Sequence, residues 1–351
     1  MEQTIFRGYI GTYTKGESEG IYSFLLDTNL QKITEVKVAA KLENPTYLTI
    51  SKDNQYLYSV GKINELGGLA AFSLNKENGE LHPLNHVLAE GSPPCHVNVD
   101  SKNQTVLSTN YHKGTLEAYS LDRVNGEIHS NGAIAQHEGS GPDPRQEKAH
   151  THYAGFTPDE KYIVAVELGI DKIFTYELTN GSLSEVSALS VAPGSGPRHL
   201  AFHHNGKFAY VMTEFSSEVL VLEYESETGR FTQVQSISTL PAGFTENNQG
   251  SAIQLSSDGR FLYVGNRGHN SIAVFEIDQA TNLVNFVEHV STEGDWPRDF
   301  SLDPSEKFIV ASNQESSNIV LFARNQETGK LTLLQNDITV GHPVCVKFLA
   351  Y

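Results

Sequence analysis

A few residues of this chain carry side chains suited to acid–base chemistry and anion binding: His152, Glu214, Arg198, Arg267 and Arg298. A carboxylate can take a proton from water, and an imidazole can relay one near neutral pH. Guanidinium groups bind carboxylate or phosphate oxygens bidentately and stabilise a developing oxyanion. If the fold brings these residues together, they supply what hydrolysis of an ester or a lactone requires.

These residues stand at equivalent positions of an internal repeat. The segment that begins at Pro45 aligns without gaps with the segments that begin at Pro197 and Pro297. The same frame fits seven segments, spaced by 46 to 57 residues, which begin at Pro45, Pro94, Thr151, Pro197, Gly250, Pro297 and Pro343. A period near fifty residues predicts a repeat architecture.

Each repeat is predicted to form four short antiparallel strands. An alternating strand leads through a turn to an aromatic-rich strand such as Phe261-Leu-Tyr-Val, and two further strands follow. Four strands in about 40 to 50 residues are typical of a β-propeller blade. We therefore predict an all-β, seven-bladed β-propeller, a single domain over residues 1–351, whose last blade combines the strand at Pro343 with three N-terminal strands. Two stacked β-sandwiches also contain many short strands, but they predict no fixed register through the copies.

Two positions of such a blade lie on the same face and point to the central axis: the start of the innermost strand and the end of the second strand. The first position holds, in order, Thr46, Cys95, His152, Arg198, Ser251, Arg298 and Val344. The second position holds Lys62, Tyr111, Leu168, Glu214, Arg267, Gln314 and Thr12. The arginines among them are predicted to line one central funnel and to bind a small anion. Alternatively, they form structural ion pairs with Glu214, Asp299 and nearby carboxylates.

The histidines of the same region complete the predicted site. Glu214 and His152 come from adjacent repeats, and we expect them to face each other across the funnel with a water between them. The alternative for His152 is a structural histidine that is hydrogen-bonded to a neighbouring loop. His150, His199 and Gln314 are expected to support substrate binding.

Metal and cofactor motifs are weak in this sequence. The pairs His150 with His152, and His203 with His204, resemble metal ligands, but no third ligand follows at a characteristic spacing. Glycine-rich phosphate loops that lead into helices are also absent. We therefore predict neither a metal ion nor another cofactor.

Charge and cysteine content restrict the class of partner and the compartment. Lys and Arg number 25 against 42 Asp and Glu, and the formal net charge is −17. Such a charge opposes broad binding to nucleic acid or to an anionic membrane, so an anionic ligand must meet a local positive site. The two cysteines, and the absence of a secretory start or a long apolar run, predict a cytoplasmic protein.

Several motifs give the chain a family resemblance. They are Gly8-Tyr-Ile-Gly-Thr-Tyr, Gly196-Pro-Arg-His-Leu, Asn266-Arg-Gly-His-Asn, Trp296-Pro-Arg-Asp-Phe and Glu327-Thr-Gly-Lys-Leu. Over essentially its whole length the chain resembles the seven-bladed lactonases of the 6-phosphogluconolactonase type, a family that also includes fungal carboxy-muconate lactonizing enzymes. The resemblance implies hydrolysis of 6-phospho-glucono-1,5-lactone to 6-phosphogluconate in the pentose phosphate pathway.

The resemblance also implies site residues. In that family a His, two Arg and a Glu have been proposed around the funnel, and their motifs fall here on His152, Arg198, Glu214 and Arg267. On this basis we expect Glu214 to activate water, His152 to relay a proton and Arg267 to stabilise the oxyanion. Arg298 with Arg198 is expected to bind the phosphate or carboxylate of the lactone.

Two features depart from the regular pattern. The longest repeat carries an insert at residues 137–149, which is either a flap over the funnel or a passive surface loop. The motif Glu167-Leu-Gly-Ile-Asp171 stands where relatives usually carry Asp-Leu-Gly-x-Asp. The longer side chain puts any fine contact at this position in doubt.

Three other functions fit parts of the pattern. The first is a lactonizing enzyme that cyclises or opens a carboxylated muconolactone. The second is a hydrolase of an unphosphorylated sugar lactone. The third is a non-catalytic propeller that binds a protein partner. That function predicts apolar residues at the two converging positions, where Arg, His and Glu stand instead.

Overall fold

The structure, a computed structural model, describes residues 4–350. Within these residues the regular elements are β-strands, with no helix. In chain order they are β1 (Ile5–Thr12), β2 (Gly20–Asp27), β3 (Lys32–Lys41), β4 (Leu48–Ile50), β5 (Tyr56–Ile63), β6 (Leu66–Leu74), β7 (Leu81–Glu90), β8 (His96–Val99), β9 (Thr105–Asn110), β10 (Thr115–Ser120), β11 (Ala133–Gln136), β12 (Thr151–Phe156), β13 (Ile163–Glu167) and β14 (Lys172–Thr179). The second half of the series is β15 (Ser182–Ser190), β16 (Pro197–Phe202), β17 (Phe208–Thr213), β18 (Glu218–Glu225), β19 (Arg230–Ser238), β20 (Gln249–Leu255), β21 (Phe261–Arg267), β22 (Ser271–Ile277), β23 (Val284–Ser291), β24 (Pro297–Leu302), β25 (Phe308–Asn313), β26 (Asn318–Arg324), β27 (Leu331–Thr339) and β28 (Pro343–Phe348).

The strands form seven four-stranded sheets. Six sheets consist of consecutive strands, namely β4 to β7, β8 to β11, β12 to β15, β16 to β19, β20 to β23 and β24 to β27. The seventh has the order β28-β1-β2-β3, in which Gly8 lies opposite Phe348 and Ile10 opposite Val346. The predicted four strands per repeat, and a last sheet built from both ends of the chain, are confirmed.

The described residues divide into two compact units. One comprises 4–106, Tyr119–Asn131 and 292–350, and the other comprises Leu107–Ala118 and Gly132–Ser291. The single domain over residues 1–351 stays a prediction, and residues 1–3 and 351 lie outside the described part of the chain.

The second unit shows why these sequences form blades. On β17, Ala209 and Val211 belong to a buried cluster shared with β13, whereas Tyr210 and Met212 belong to one shared with β21. The alternation of the strand thus sends successive side chains to two different cores. Burying one such side chain contributes about 1.5–3 kcal/mol. Because β17 is packed on both faces, the position of its last residue is well defined. Glu214 directly follows that residue, so its position is defined as well.

An ion pair in the first unit joins the closing sheet to the sheet of β24. Lys347 Nζ, on β28, lies 3.6 Å from Asp299 Oδ2 on β24. The same oxygen accepts the N–H of Val346 at 2.9 Å. Burial alone would lower the pKa of Lys347, but Asp299 and Tyr47 raise it well above its ordinary value. Asp299 therefore forms an ion pair with Lys347, whereas the alternative considered from the sequence paired it with an arginine.

Replacing this lysine should weaken the fold. We expect Lys347→Met to lower the free energy of unfolding by about 2 kcal/mol, because it leaves the buried Asp299 carboxylate without its cation. Urea unfolding followed by tryptophan fluorescence or circular dichroism measures the change. Lys52→Met, which removes an exposed lysine, is the matched control and should change stability by less than about 0.5 kcal/mol. Equal effects of the two substitutions would contradict a stabilising role for the pair.

Candidate active site

The first of the two converging positions has an unusual backbone. His152 on β12 and Arg198 on β16 are each skipped by the pairing with the second strand of their sheet, so each is the extra residue of a β-bulge. Arg298 on β24 is skipped in the same way in the first unit. A bulge bends the strand and turns a side chain out of the regular alternation. The same β-bulge therefore recurs in these repeats and changes the direction of the side chain at this position.

The second position lies where the second strand of a sheet ends. Arg267 is the last residue of β21. The N–H of Glu214, directly after β17, donates to the carbonyl of Gly196 at 2.6 Å, and its carbonyl accepts the N–H of Gly250 at 2.9 Å. The backbone of Glu214 is thus tied to the segment before Arg198 and to strand β20.

Three arginine side chains converge on the Glu214 carboxylate. Its Oε2 accepts from Arg198 Nε at 3.0 Å and from Arg267 Nη2 at 2.7 Å. Its Oε1 accepts from Arg145 Nη2 at 2.6 Å. The structure brings Arg198, Arg267 and Glu214 together, as expected from their positions in the repeat. It joins them as direct ion pairs, the arrangement that the sequence left open as the alternative.

Backbone carbonyls of β20 fix the two buried arginines. Arg198 Nη1 donates to the carbonyl of Ser251 at 2.8 Å, and Arg267 Nη2 donates to the carbonyl of Gly250 at 2.7 Å. The side chains of both arginines are 3% exposed. Their guanidinium groups are therefore held in defined orientations before any ligand arrives.

The pairing determines the ionisation of Glu214. Burial alone would raise the pKa of this carboxyl, but Arg267, Arg198, His152 and Arg145 together hold it well below its usual range. A carboxylate with so low a pKa is a weak base. Glu214, which we expected to activate water, has both oxygens engaged by guanidinium groups. Its geometry suits it to positioning the arginines.

Arg145 was missed from the sequence, because it lies in the insert at 137–149 and has no counterpart in the other repeats. Its side chain is 42% exposed, in contrast to the 3% of Glu214. Three guanidinium charges against one carboxylate leave these four residues with an excess of two positive charges. The signal that could have pointed to it was the position of the insert, which directly precedes the strand that carries His152.

The predicted histidines lie beside this cluster. His152 is buried, its ring centroid is 5.1 Å from that of His199, and it contributes to the low pKa of Glu214. His150 stacks on Tyr111 with a centroid distance of 4.0 Å, and its Nδ1 bonds to the carbonyl of Tyr111 at 2.8 Å. Both flanking histidines therefore contact aromatic neighbours of the site.

Two further predicted residues belong to the first unit. Arg298 Nη1 donates to Gln314 Oε1 at 3.4 Å, and its guanidinium carbon lies 5.6 Å from the centre of the Tyr13 ring. These contacts bring Arg298 and Gln314 together within that unit. The expectation that they share a funnel with Arg198 stays a prediction.

Glu167 connects the turn after β13 to the strand that bears His152. Its Oε2 accepts the N–H of Ile170 at 2.9 Å. The backbone N–H groups of His150 and Gly169 also hydrogen-bond to the carboxylate. Burial raises the pKa of Glu167 to about 7, against the lowering effect of these N–H groups. The side chain at this departure from the family pattern is thus part of the support of the site.

This raised pKa predicts a pH dependence of stability. The folded state disfavours ionised Glu167, so its contribution is complete below pH 4.5 and is lost as pH rises to about 7. Between pH 5 and pH 8 we expect the wild type to lose about 3 kcal/mol relative to Glu167→Gln. Urea unfolding at both pH values measures this difference. Glu138→Gln, at an exposed position, is the control, and parallel profiles for wild type and Glu167→Gln would contradict the prediction.

Residues 4–350 contain neither a metal-binding cluster of side chains nor a membrane-spanning helix. Among residues 4–350 no three His, Cys, Asp or Glu side chains are grouped so that they could hold a metal ion. His203 and His204 instead bond to the carbonyls of Gly259 and Ser256. The same residues include no helix with the length and apolar character that a membrane crossing requires.

Comparison with known proteins identifies the family. The family described as "Lactonase, 7-bladed beta-propeller" matches residues 7–348. A 6-phosphogluconolactonase of Bacillus subtilis is 56% identical over 346 residues, which cover 99% of both chains. A putative 6-phosphogluconolactonase from Bacteroides fragilis superposes with a TM-score of 0.90 at 32% identity, covering 99% of this chain and 98% of that one. A periplasmic gluconolactonase from Pseudomonas aeruginosa gives a TM-score of 0.92 at 31% identity, covering 99% of each chain. The seven-bladed fold predicted from the repeat is confirmed, and the chain belongs to the family of seven-bladed β-propeller lactonases.

Proposed function

We propose that this protein hydrolyses 6-phospho-glucono-1,5-lactone to 6-phosphogluconate. The observation that carries the proposal is the group of three arginines around Glu214, with a buried His152 beside it. Its excess positive charge attracts an anionic substrate in a protein that is otherwise strongly acidic. The similarity to the 6-phosphogluconolactonase of Bacillus subtilis supports the same substrate.

Lactone hydrolysis proceeds in three chemical steps. The oxygen of water bonds to the carbonyl carbon and gives a tetrahedral oxyanion, the ring C–O bond then breaks, and the ring oxygen takes a proton. His152 takes the proton of the attacking water and returns it to the departing ring oxygen. The guanidinium groups stabilise the oxyanion and the carboxylate that forms from it.

Glu214 has a different part in this mechanism from the one its residue type suggested. It stays ionised throughout, because three arginines hold its pKa well below the usual carboxyl range. Its negative charge keeps Arg198 and Arg267 oriented in a buried site, where unpaired cations would be costly. Glu214 is therefore a positioning residue, and His152 is the proton carrier.

The test is the rate of ring opening of freshly generated lactones. The purified protein should open 6-phosphogluconolactone well above its spontaneous rate, and the rate should be higher than for unphosphorylated glucono-1,5-lactone at the same concentration. His152→Asn provides the control for contaminating activity. A rate equal to the spontaneous one for both lactones would refute the proposed function.

Hydrolysis of an unphosphorylated sugar lactone is a second candidate. The similarity to a periplasmic gluconolactonase favours it, since that protein is named for a lactone without phosphate. The same assay separates the two: kcat/KM is expected to be higher for the phosphorylated lactone if the first proposal is right. Equal or higher values for the unphosphorylated lactone would favour the second.

We also propose that the enzyme acts in the cytoplasm, in the pentose phosphate pathway, on a small anionic lactone. Cys95 and Cys345 are not joined in a disulfide, which fits a reducing compartment. Phosphorylated sugars do not cross membranes unaided, so an enzyme for such a substrate must share its compartment. Fractionation of cells with an antibody to the protein tests the location, and recovery outside the cytoplasmic fraction would argue against it.

A further inference from the structure

The insert at 137–149 contributes the accessible charge of the site. Arg145 is 42% exposed, whereas Arg198 and Arg267 are each 3% exposed. A ligand that approaches from solvent therefore meets the guanidinium of Arg145 first. Nη2 of this group donates to Glu214, and the guanidinium also hydrogen-bonds to the side chain of Tyr111. A guanidinium carries five N–H donors, so others remain for a ligand.

The surroundings of Arg145 also differ from those of the two buried arginines. Arg198 and Arg267 share Oε2 of Glu214, and both donate to carbonyls of β20 as well. Arg145 contacts Oε1, and its guanidinium carbon lies 4.7 Å from the centre of the Phe215 ring. A guanidinium whose face rests on an aromatic ring binds an anion through the N–H groups at its edge.

The insert holds Arg145 in place through buried polar contacts. The neighbouring Gln146 is fully buried, and its Nε2 donates to the Leu168 carbonyl at 2.7 Å and to Asp171 Oδ1 at 2.8 Å. Asp171 also accepts the N–H groups of Gly194 and Gly196, in the segment that leads to Arg198. One carboxylate thus connects the insert to the segment that carries a buried arginine.

A second anchor lies at the start of the insert. His137 is buried, and burial lowers its pKa to about 4, so its ring is neutral at ordinary pH. Its Nδ1 bonds to Thr151 Oγ1 at 2.9 Å, and its Nε2 bonds to the hydroxyl of Tyr176 at 2.8 Å. Between this anchor and Gln146 the insert presents Arg145 at a defined position.

We infer that Arg145 recognises the phosphate group of the substrate and is the specificity-determining residue of the site. The inference rests on the proposed function and assigns to the insert a role that no other repeat has. The phosphate oxygens bind the remaining N–H groups of the guanidinium, while Nη2 stays on Glu214. Arg145 thereby selects phosphorylated lactones over their unphosphorylated counterparts.

The test compares Arg145→Gln with wild type on both lactones. We expect kcat/KM for 6-phosphogluconolactone to fall about 10- to 100-fold, because a charge-assisted contact is lost. The loss should be at least tenfold greater than on unphosphorylated glucono-1,5-lactone, and Arg145→Lys should restore part of it. Arg123→Gln, which removes an exposed arginine elsewhere, controls for the change in net charge. Equal losses on the two lactones would overturn the inference, since a purely structural role for Arg145 lowers both.

A binding measurement provides a readout that does not depend on turnover. By calorimetry, 6-phosphogluconate should bind wild type more tightly than gluconate does, and Arg145→Gln should remove most of that difference. An unchanged difference would overturn the inference. The failure of the proposed function looks different, because wild type itself would then accelerate the opening of neither lactone.

Discussion

Glu214→Gln should lower the free energy of unfolding by about 3–5 kcal/mol and remove most of the lactonase activity. The carboxylate is 3% exposed and pairs with Arg198 and Arg267, which are equally buried. The substitution keeps the shape of the side chain and removes its charge. Two guanidinium groups then remain in a buried site without their counterion, which is the costly outcome when one partner of a buried ion pair is lost.

Urea unfolding and the lactone assay, performed on the same preparation, test both parts of this prediction. Glu223→Gln on β18, an exposed position of the same sheet, is the matched control and should change neither quantity appreciably. A variant that loses activity but keeps its full stability would show that Glu214 acts as the base. In that case the assignment of Glu214 as a positioning residue is wrong.

His152→Asn should reduce kcat about 10²- to 10⁴-fold, the usual range for loss of a general acid–base group, with little change in stability. The imidazole is 5% exposed and stands beside the Glu214 cluster, with its ring centroid 6.1 Å from that of Tyr111. Asparagine keeps a polar side chain there but cannot carry a proton. Single-turnover rates on fresh lactone separate this chemical defect from weaker binding.

The control for this variant is His82→Asn, since His82 is exposed on β7 and lies outside the site. It should retain the wild-type rate. A His152→Asn protein with wild-type kcat would exclude His152 as the proton carrier. The alternative, in which His152 is a structural histidine, predicts that result together with a lowered stability.

The seven-bladed architecture could be predicted from the sequence because each repeat corresponds to four strands. A fixed register through the copies specifies which segments pair, and the anchors at Pro197, Pro297 and Pro343 coincide with the first residues of β16, β24 and β28. The partial last repeat also indicated that β28 pairs with β1. Periodicity therefore determined strand order and the shared sheet without any knowledge of side-chain packing.

The site was only partly accessible, for physical reasons. Positions in the repeat brought Arg198, Arg267 and Glu214 to one place, but residue type alone suggested that Glu214 is a base. Its actual ionisation depends on three simultaneous ion pairs that only coordinates show. The β-bulge at His152 has no signature in the alternation of one strand. Arg145 lies in an insert, where the register of the repeat gives no information.

The central claim is that the arginines around Glu214, with His152, form the lactone-binding site. A crystal structure of the protein with the product 6-phosphogluconate tests it most directly. We predict that the product carboxylate lies within hydrogen-bond distance of His152 and that the phosphate contacts Arg145. Product bound away from both residues, with the Glu214 cluster unliganded at saturating concentration, would contradict the claim.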